Sequence, residues 1–155
     1  MPSLKDIIGS ASEDLELFNK VFKEVSNYSR LLNTRYVEIR EGYAKAVSEY
    51  REELARSGGI LHGGAIMGML DEVSGVAVAT VNRGEEQVTL ELKINFLRPL
   101  HKENSPYTIE GEVLRAGSTT VVAMGRIYDS QGKLLATSIG TWYILYSREK
   151  ARLSR

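Results

Sequence analysis

The chain has 155 residues, enough for one compact domain but too few for two domains with adequate cores. Its 20 basic and 20 acidic residues cancel to a formal net charge of zero, which argues against a nucleic-acid-binding protein. The sequence has no cysteine and two histidines, so we expect neither disulfides, nor a cysteine nucleophile, nor a metal centre.

The first 32 residues are predicted to form an N-terminal helical extension. They contain no pattern of a secretory signal peptide, and no apolar stretch of the chain reaches the roughly 18 residues of a membrane span, so we expect a soluble cytoplasmic protein. Ser10 with Glu13, or Ser12, supplies a helix N-cap. Such a helix can serve as a lid or interface element, or simply pack on the domain. Apolar residues spaced by three and four define its buried face: Leu15, Phe18, Val21, Phe22, Val25, Tyr28, Leu31 and Leu32.

Two strand-like runs flank Glu41-Gly42, which predicts a β-hairpin, and Gly58-Gly59 marks a loop. From Gly63 to about Val81 the chain is apolar on nearly every side, which predicts a helix enclosed by a sheet. Small residues lie on one face of this helix and would let another backbone approach closely: Gly64, Gly68, Gly75 and Ala79.

Three long strands are predicted after a turn at residues 82–84. The first alternates Val88, Leu90, Leu92, Ile94 and Phe96 with polar residues, and turns at 115–118 and 129–132 join the others in an antiparallel meander. Residues 147–155 form a basic C-terminal tail. The predicted fold class is therefore α+β, with one long central helix wrapped by a curved antiparallel sheet over residues 33–146, plus the N-terminal helix. The free edges of such a sheet favour dimerisation.

Asp71 lies in the middle of the most apolar segment, where burying a carboxylate costs several kcal/mol unless it has a partner or a function. The alternative is that Asp71 and Glu72 emerge at a solvated or interfacial edge. Its position seven residues after Gly64 places it on the same side of the helix as the glycine pair.

Gly63 and Gly64 begin the predicted helix, where free N–H groups and the helix dipole favour an oxyanion or a polarised carbonyl. An ordinary glycine loop is the alternative. His62 stands alone beside the helix start, and a role in shaping that loop is favoured over a role as a base. Arg98, Lys102 and Arg115 are candidate phosphate contacts, although single cations are often only solvated charge.

The segment Leu61-His62-Gly63-Gly64, an aspartate nine positions after the histidine, and the strand Val88 to Pro99 together resemble the phenylacetate-pathway and THEM-like branch of hotdog-fold thioesterases. The similarity extends from about residue 35 to residue 146 and includes the closing strands GSTTVVAMGRIYDSQGKLLATSIGTW. It implies a hotdog fold and hydrolysis of a small or medium acyl-coenzyme A, including an aromatic one, without a cofactor beyond the coenzyme A of the substrate.

The resemblance also implies roles for particular residues. Asp71 would be the general base or nucleophile, the Gly63 amide would polarise the thioester carbonyl, and Thr89 would assist the attacking water. His62 and Gly64 would shape the loop. Aspartate and glycine amide would come from opposite subunits of a homodimer, itself expected to form a dimer of dimers.

The sequence departs from that family at two positions. The family often has asparagine six positions before the histidine, where this chain has Arg56, and commonly a basic residue after the glycine at Gly117, where this chain has Ser118. Met67 is a candidate pocket residue. A non-catalytic acyl-coenzyme A sensor on the same fold is the alternative function, and a hydratase or dehydratase is a third.

Overall fold

The computed structural model describes residues 8–9, 14–82 and 85–145. In chain order the helices are α1 (Leu15–Val25), α2 (Asn27–Leu32) and α3 (Gly63–Val81). The strands are β1 (Arg35–Arg40), β2 (Tyr43–Ser48), β3 (Ala55–Arg56), β4 (Ile60–Leu61), β5 (Glu86–Phe96), β6 (Tyr107–Ala116), β7 (Thr120–Tyr128) and β8 (Leu134–Leu145). Short 3₁₀ turns lie at Glu52–Leu54 and Lys102–Asn104.

Six strands form one antiparallel sheet in the order β1-β2-β6-β7-β8-β5, and α3 packs across its concave side. The predicted hairpin at Gly42 and the meander of β6, β7 and β8 are confirmed, and so is the α+β hotdog architecture. Two strands, β1 and β5, are the edges of this sheet. The β3–β4 pair was missed by the sequence analysis, because two-residue strands are too short to show alternation.

The N-terminal segment is a pair of helices, so the prediction of one continuous helix to residue 32 was wrong. Helix α1 begins after Asp14, whose Oδ1 accepts from the amides of Glu16 and Leu17 at 2.9 and 3.0 Å. The helical backbone is interrupted at Ser26, which has extended backbone angles and whose side chain caps α2. A serine that can bond to nearby amides favours such a helix boundary. The proposed caps Ser10 and Ser12 lie outside the described residues.

Helix α3 spans the predicted residues. It approaches the sheet closely at Gly111 of β6, where an added Cβ would lie 2.7 Å from Ser74 Cα. The expectation that the small-residue face of α3 meets another backbone was wrong within the described chain. At Gly68 that face meets the side chain of Tyr28, and at Gly75 it meets those of Gln87 and Trp142.

By length and composition alone, α3 is apolar enough to cross a membrane, contrary to the expectation from the sequence. More than half of its apolar window is nevertheless buried inside the domain, as for the core helix of a folded domain. Burial by the sheet explains its composition.

Strand β5 contains a β-bulge at Leu90, between the residue pairs Thr89–Trp142 and Glu91–Thr141. The bulge inserts one residue and exchanges the two faces of the strand, so Thr89 and Leu92 both point towards α3 while Val88 is exposed. The predicted unbroken alternation from Val88 to Phe96 was therefore wrong. Residues 83–84 of the predicted turn and the basic tail 147–155 lie outside the described residues, and the domain limits remain predictions.

Candidate active site

The Asp71 carboxylate lies half-buried on α3 and faces the bulged part of β5. Its Oδ1 accepts a hydrogen bond of 2.8 Å from Thr89 Oγ1. Since the hydroxyl proton is used in this bond, the oxygen lone pairs of Thr89 remain available to accept a hydrogen bond from a water molecule. The two residues are 18 positions apart in sequence, and the Leu90 bulge is what turns Thr89 towards the helix.

Two cavities flank Asp71, and both are bounded by Asp71 and Thr89. The inner cavity, about 290 Å³, is otherwise lined by Phe22, Ser26, Glu72, Gly75, Val76, Ala79, Gln87 and Trp142. The outer cavity, about 450 Å³, is otherwise lined by Tyr28, Gly64, Met67, Gly68, Leu90, Glu91 and Leu92. A group held at Asp71 can therefore extend in two directions.

Glu72, the residue after Asp71 on α3, is a second partly buried carboxylate. Its two oxygens accept hydrogen bonds from the hydroxyls of Ser29 and Thr34. Burial raises the pKa of Glu72 above its usual value, while these hydroxyl bonds oppose the rise. Glu72 thereby fixes α2 to the helix that carries Asp71.

We expect Glu72→Gln to change how stability depends on pH. Because the folded-state pKa of Glu72 is raised above 4.5, its stabilising contribution is complete below about pH 4.5 and is lost as pH rises through the folded value. The unfolding free energy of the wild type minus that of Glu72→Gln should therefore fall as pH rises over this range. Urea titrations of both proteins at several pH values measure the difference, and a difference that rises with pH would contradict the assignment.

The N-terminus of α3 leaves one amide free for a ligand. His62 is the N-cap, and its Nδ1 accepts from the Gly64 amide at 3.0 Å. Among the described residues, no hydrogen-bond acceptor takes the Gly63 N–H. His62 thus shapes the helix start, and the free donor is Gly63.

Asp71 and Gly63 do not meet within one chain. Gly63 opens onto a separate cavity of about 310 Å³, lined also by Phe96, Arg98 and Pro99. Eight residues of α-helix separate it from Asp71, a rise of about 12 Å. One chain therefore cannot place its own Gly63 amide and its own Asp71 on the same carbonyl group.

The remaining predicted binding residues lie at four places. Met67, 44% exposed, lines the outer cavity. Arg98 lines the Gly63 cavity and donates to the Leu134 carbonyl at 2.7 Å, whereas Arg56 is exposed on β3. Arg115, Gly117 and Ser118 lie by the β6–β7 turn, and the last two line a cavity with Val81 at the far end of α3. Arg115, Gly117 and Ser118 are not brought together with Asp71 within one chain.

The sequence analysis missed the site residues of the N-terminal helices. Phe22 and Ser26 line the inner cavity, and Tyr28 lines the outer one, where its hydroxyl occupies the space that a side chain at Gly68 would need. Phe22 and Tyr28 belong to the predicted apolar face of this segment. That periodicity predicted that both lie on one apolar face, but Tyr28 is 47% exposed, and the pattern did not predict what either would contact.

Comparison with known proteins identifies the family. The family model described as "Thioesterase superfamily" matches residues 58–136. This chain belongs to the thioesterase superfamily. Like its family, it is a thioester hydrolase. It is 42% identical over 140 residues to the Saccharolobus solfataricus protein named "Putative esterase SSO2140", covering 90% of this chain and 99% of that protein.

More distant thioesterase relatives agree with this membership. Human "Acyl-coenzyme A thioesterase 13" is 25% identical over 130 residues, covering 82% of this chain and 91% of that protein. The solved structure of the E. coli PaaI protein from the phenylacetic acid degradation operon superposes with a TM-score of 0.77 at 20% identity, covering 93% of this chain and 97% of that one. The last similarity shows the shared hotdog fold.

Proposed function

We propose that this thioesterase hydrolyses acyl-coenzyme A to a free acid and coenzyme A, and that Asp71 carries the reaction. The observation that supports this most directly is the Asp71–Thr89 pair at 2.8 Å, open to a cavity on each side. Relationship to an acyl-coenzyme A thioesterase supports the substrate class. In this proposal coenzyme A enters as part of the substrate and no further cofactor is used.

Few groups are needed for this chemistry. The thiol of the leaving group has a pKa of about 8.5, so the thiolate departs without a strong general acid. As a general base, Asp71 removes a proton from water, the water oxygen attacks the carbonyl carbon, and the C–S bond breaks to release the thiolate. As a nucleophile, Asp71 attacks the carbonyl carbon itself, forming a mixed anhydride as the thiolate leaves, and water then hydrolyses the anhydride. In either case Thr89 holds the water or the carboxylate in place. The remaining requirement is a donor for the oxyanion that forms as the carbonyl is attacked.

Gly63 of the other subunit is the proposed oxyanion donor. Its N–H lies at the positive end of α3 and has no acceptor among the described residues, which suits a developing negative charge. Since the two groups are separated within one chain, a homodimer would place Asp71 of one subunit beside Gly63 of the other. Each dimer would then hold two such sites.

The edge strand β5 is the proposed dimer contact. One side of β5 pairs with β8, and in the described chain its other side pairs with no strand. Its apolar side chains remain exposed, with Leu90 at 59% and Phe96 at 52%. A long apolar edge of this kind is normally covered. Exposed Leu114 on β6 and Ile139 on β8 support a further contact in a dimer of dimers.

We expect Leu90→Lys to give monomers. A charged side chain in the middle of β5 would have to be desolvated in the interface, which favours separated subunits. The molar mass in solution, measured by light scattering, should fall to that of one chain, and turnover should fall with it. Val37→Lys, on the opposite edge strand β1, is the matched control and should keep the wild-type mass. A Leu90→Lys protein of wild-type mass would exclude this edge as the contact.

The proposed function is tested by release of coenzyme A thiol, followed with a thiol-reactive dye. The substrates are short-chain, long-chain and phenylacetyl coenzyme A esters. Turnover on at least one of them is expected. Tight binding of an ester with no thiol released from any of them would instead indicate an acyl-coenzyme A sensor.

A further inference from the structure

We propose that the N-terminal helix pair forms one wall of the acyl-binding pocket of this enzyme, and that Phe22 on α1 determines the size of the acyl group it accepts. The inference rests on the proposed acyl-coenzyme A hydrolysis. It assigns the acyl group to the inner cavity beside Asp71, and the preferred substrate to a short or aromatic acyl class.

The walls of the inner cavity favour an apolar ligand. Val76, Ala79 and Trp142 line it and are at most 4% exposed, and Phe22 faces the same space from α1. The outer cavity is different, because its lining includes Leu90 and Met67, both strongly exposed. Each methylene buried in an apolar cavity strengthens binding by about fourfold, so the acyl group gains most in the inner one. The polar coenzyme A arm is then left to the outer cavity, whose lining is more exposed.

Phe22 is held rigidly at its place in this wall. Its ring stacks on Phe18 with centroids 5.2 Å apart and meets Tyr36 edge-on at 5.5 Å. Helix α1 is fixed to β1 by two bonds between Asn19 and the Tyr36 backbone, 2.7 and 2.8 Å long. A packed aromatic wall cannot yield to a longer chain without losing these contacts. The cavity volume, about 290 Å³, is at the small end for ligand sites, which fits a short or aromatic acyl group.

Gly75 on α3 gives an independent way to change the volume of the same cavity. It lies one helical turn after Asp71, and a Cβ there would make ordinary contacts, 3.5 Å from Gln87 Nε2 and 3.7 Å from Trp142 Nε1. Gly75→Ala therefore fits without displacing the backbone and fills part of the cavity. Phe22→Ala enlarges the cavity and Gly75→Ala reduces it.

The test compares kcat/KM across straight-chain and phenylacetyl coenzyme A esters for the wild type and both variants. We expect Phe22→Ala to raise the ratio of long-chain to short-chain kcat/KM by about tenfold, and Gly75→Ala to lower the values for bulkier acyl groups by a similar factor. Leu17→Ala is the matched control, because Leu17 is 46% exposed on α1 and lines neither cavity. Its ratio should equal that of the wild type.

The outcomes separate this inference from the proposed function. If the wild type is active and neither Phe22→Ala nor Gly75→Ala changes the ratio, the inner cavity does not hold the acyl group. If Phe22→Ala does not fold, Gly75→Ala alone decides, since its side chain enters the cavity without removing a core contact. Absence of thiol release from every ester with the wild type would overturn the proposed function itself.

Discussion

Replacing Asp71 by asparagine should lower kcat by about a thousandfold or more, because general-base catalysis alone contributes roughly 10²–10⁴ and a nucleophilic role would contribute further. Asparagine has the same shape, and its amide oxygen still accepts the hydrogen bond of Thr89, so folding should be unchanged. Binding of the acyl-coenzyme A should be preserved. Thiol release under saturating substrate measures kcat, and calorimetry with a non-hydrolysable ester measures binding.

A carboxylate on the sheet, well apart from helix α3 in sequence, provides the control for Asp71→Asn. Glu112 is exposed on β6 and pairs with Arg126 at 3.1 Å, away from both cavities. Glu112→Gln removes one negative charge as Asp71→Asn does, and its turnover should match that of the wild type. Turnover of Asp71→Asn close to the wild-type rate would remove Asp71 from the mechanism.

Gly63→Pro should lower kcat by about a hundredfold to a thousandfold, the effect of losing one oxyanion donor. Proline lacks the N–H in question, and it is well accommodated as the first residue of a helix. The preceding residue His62 has φ −64° and ψ 141°, the extended conformation that a following proline requires. The backbone is thus compatible with the substitution, and thiol release should report loss of the donor.

Gly63→Ala is the matched control, because it adds a side chain but keeps the amide. Its Cβ would lie 3.5 Å from Phe96 Cζ, an ordinary contact, so turnover should stay near that of the wild type. Equal loss in Gly63→Ala and Gly63→Pro would mean that the space at Gly63 matters and its N–H does not.

Mixing the two inactive variants tests whether the site is shared between subunits. A dimer of one Asp71→Asn chain and one Gly63→Pro chain has one site with both native groups and one with neither. After unfolding and refolding together in equal amounts, the mixture should recover about a quarter of wild-type activity, since half of the dimers are mixed and each has one complete site. Activity no higher than that of the separate variants would show that both groups act within a single chain.

Local sequence patterns sufficed for the long central helix, the hairpin and the meander of this protein. The apolar, glycine-containing run fixed α3 at Gly63–Val81, and the glycine turns fixed the hairpin and the meander. These features depend on residues close together in the chain, whose periodicity and turn preferences act over a few positions. Asp71 and Gly63 were singled out from their positions in the predicted helix, and Thr89 from the family resemblance, so the sequence was sufficient to make them candidates.

Contacts between distant residues were decided by the tertiary structure. The bulge at Leu90 depends on pairing with β8, and it turns Thr89 towards Asp71 where strict alternation would not predict the contact. Likewise, the partly buried Glu72 carboxylate accepts hydrogen bonds from Ser29 and Thr34, which reach it from another part of the chain. Phe22 reaches the inner cavity only through the docking of α1. Periodicity records which side of an element is apolar, but strand register and helix docking arise from the packing of whole elements, which no local pattern encodes.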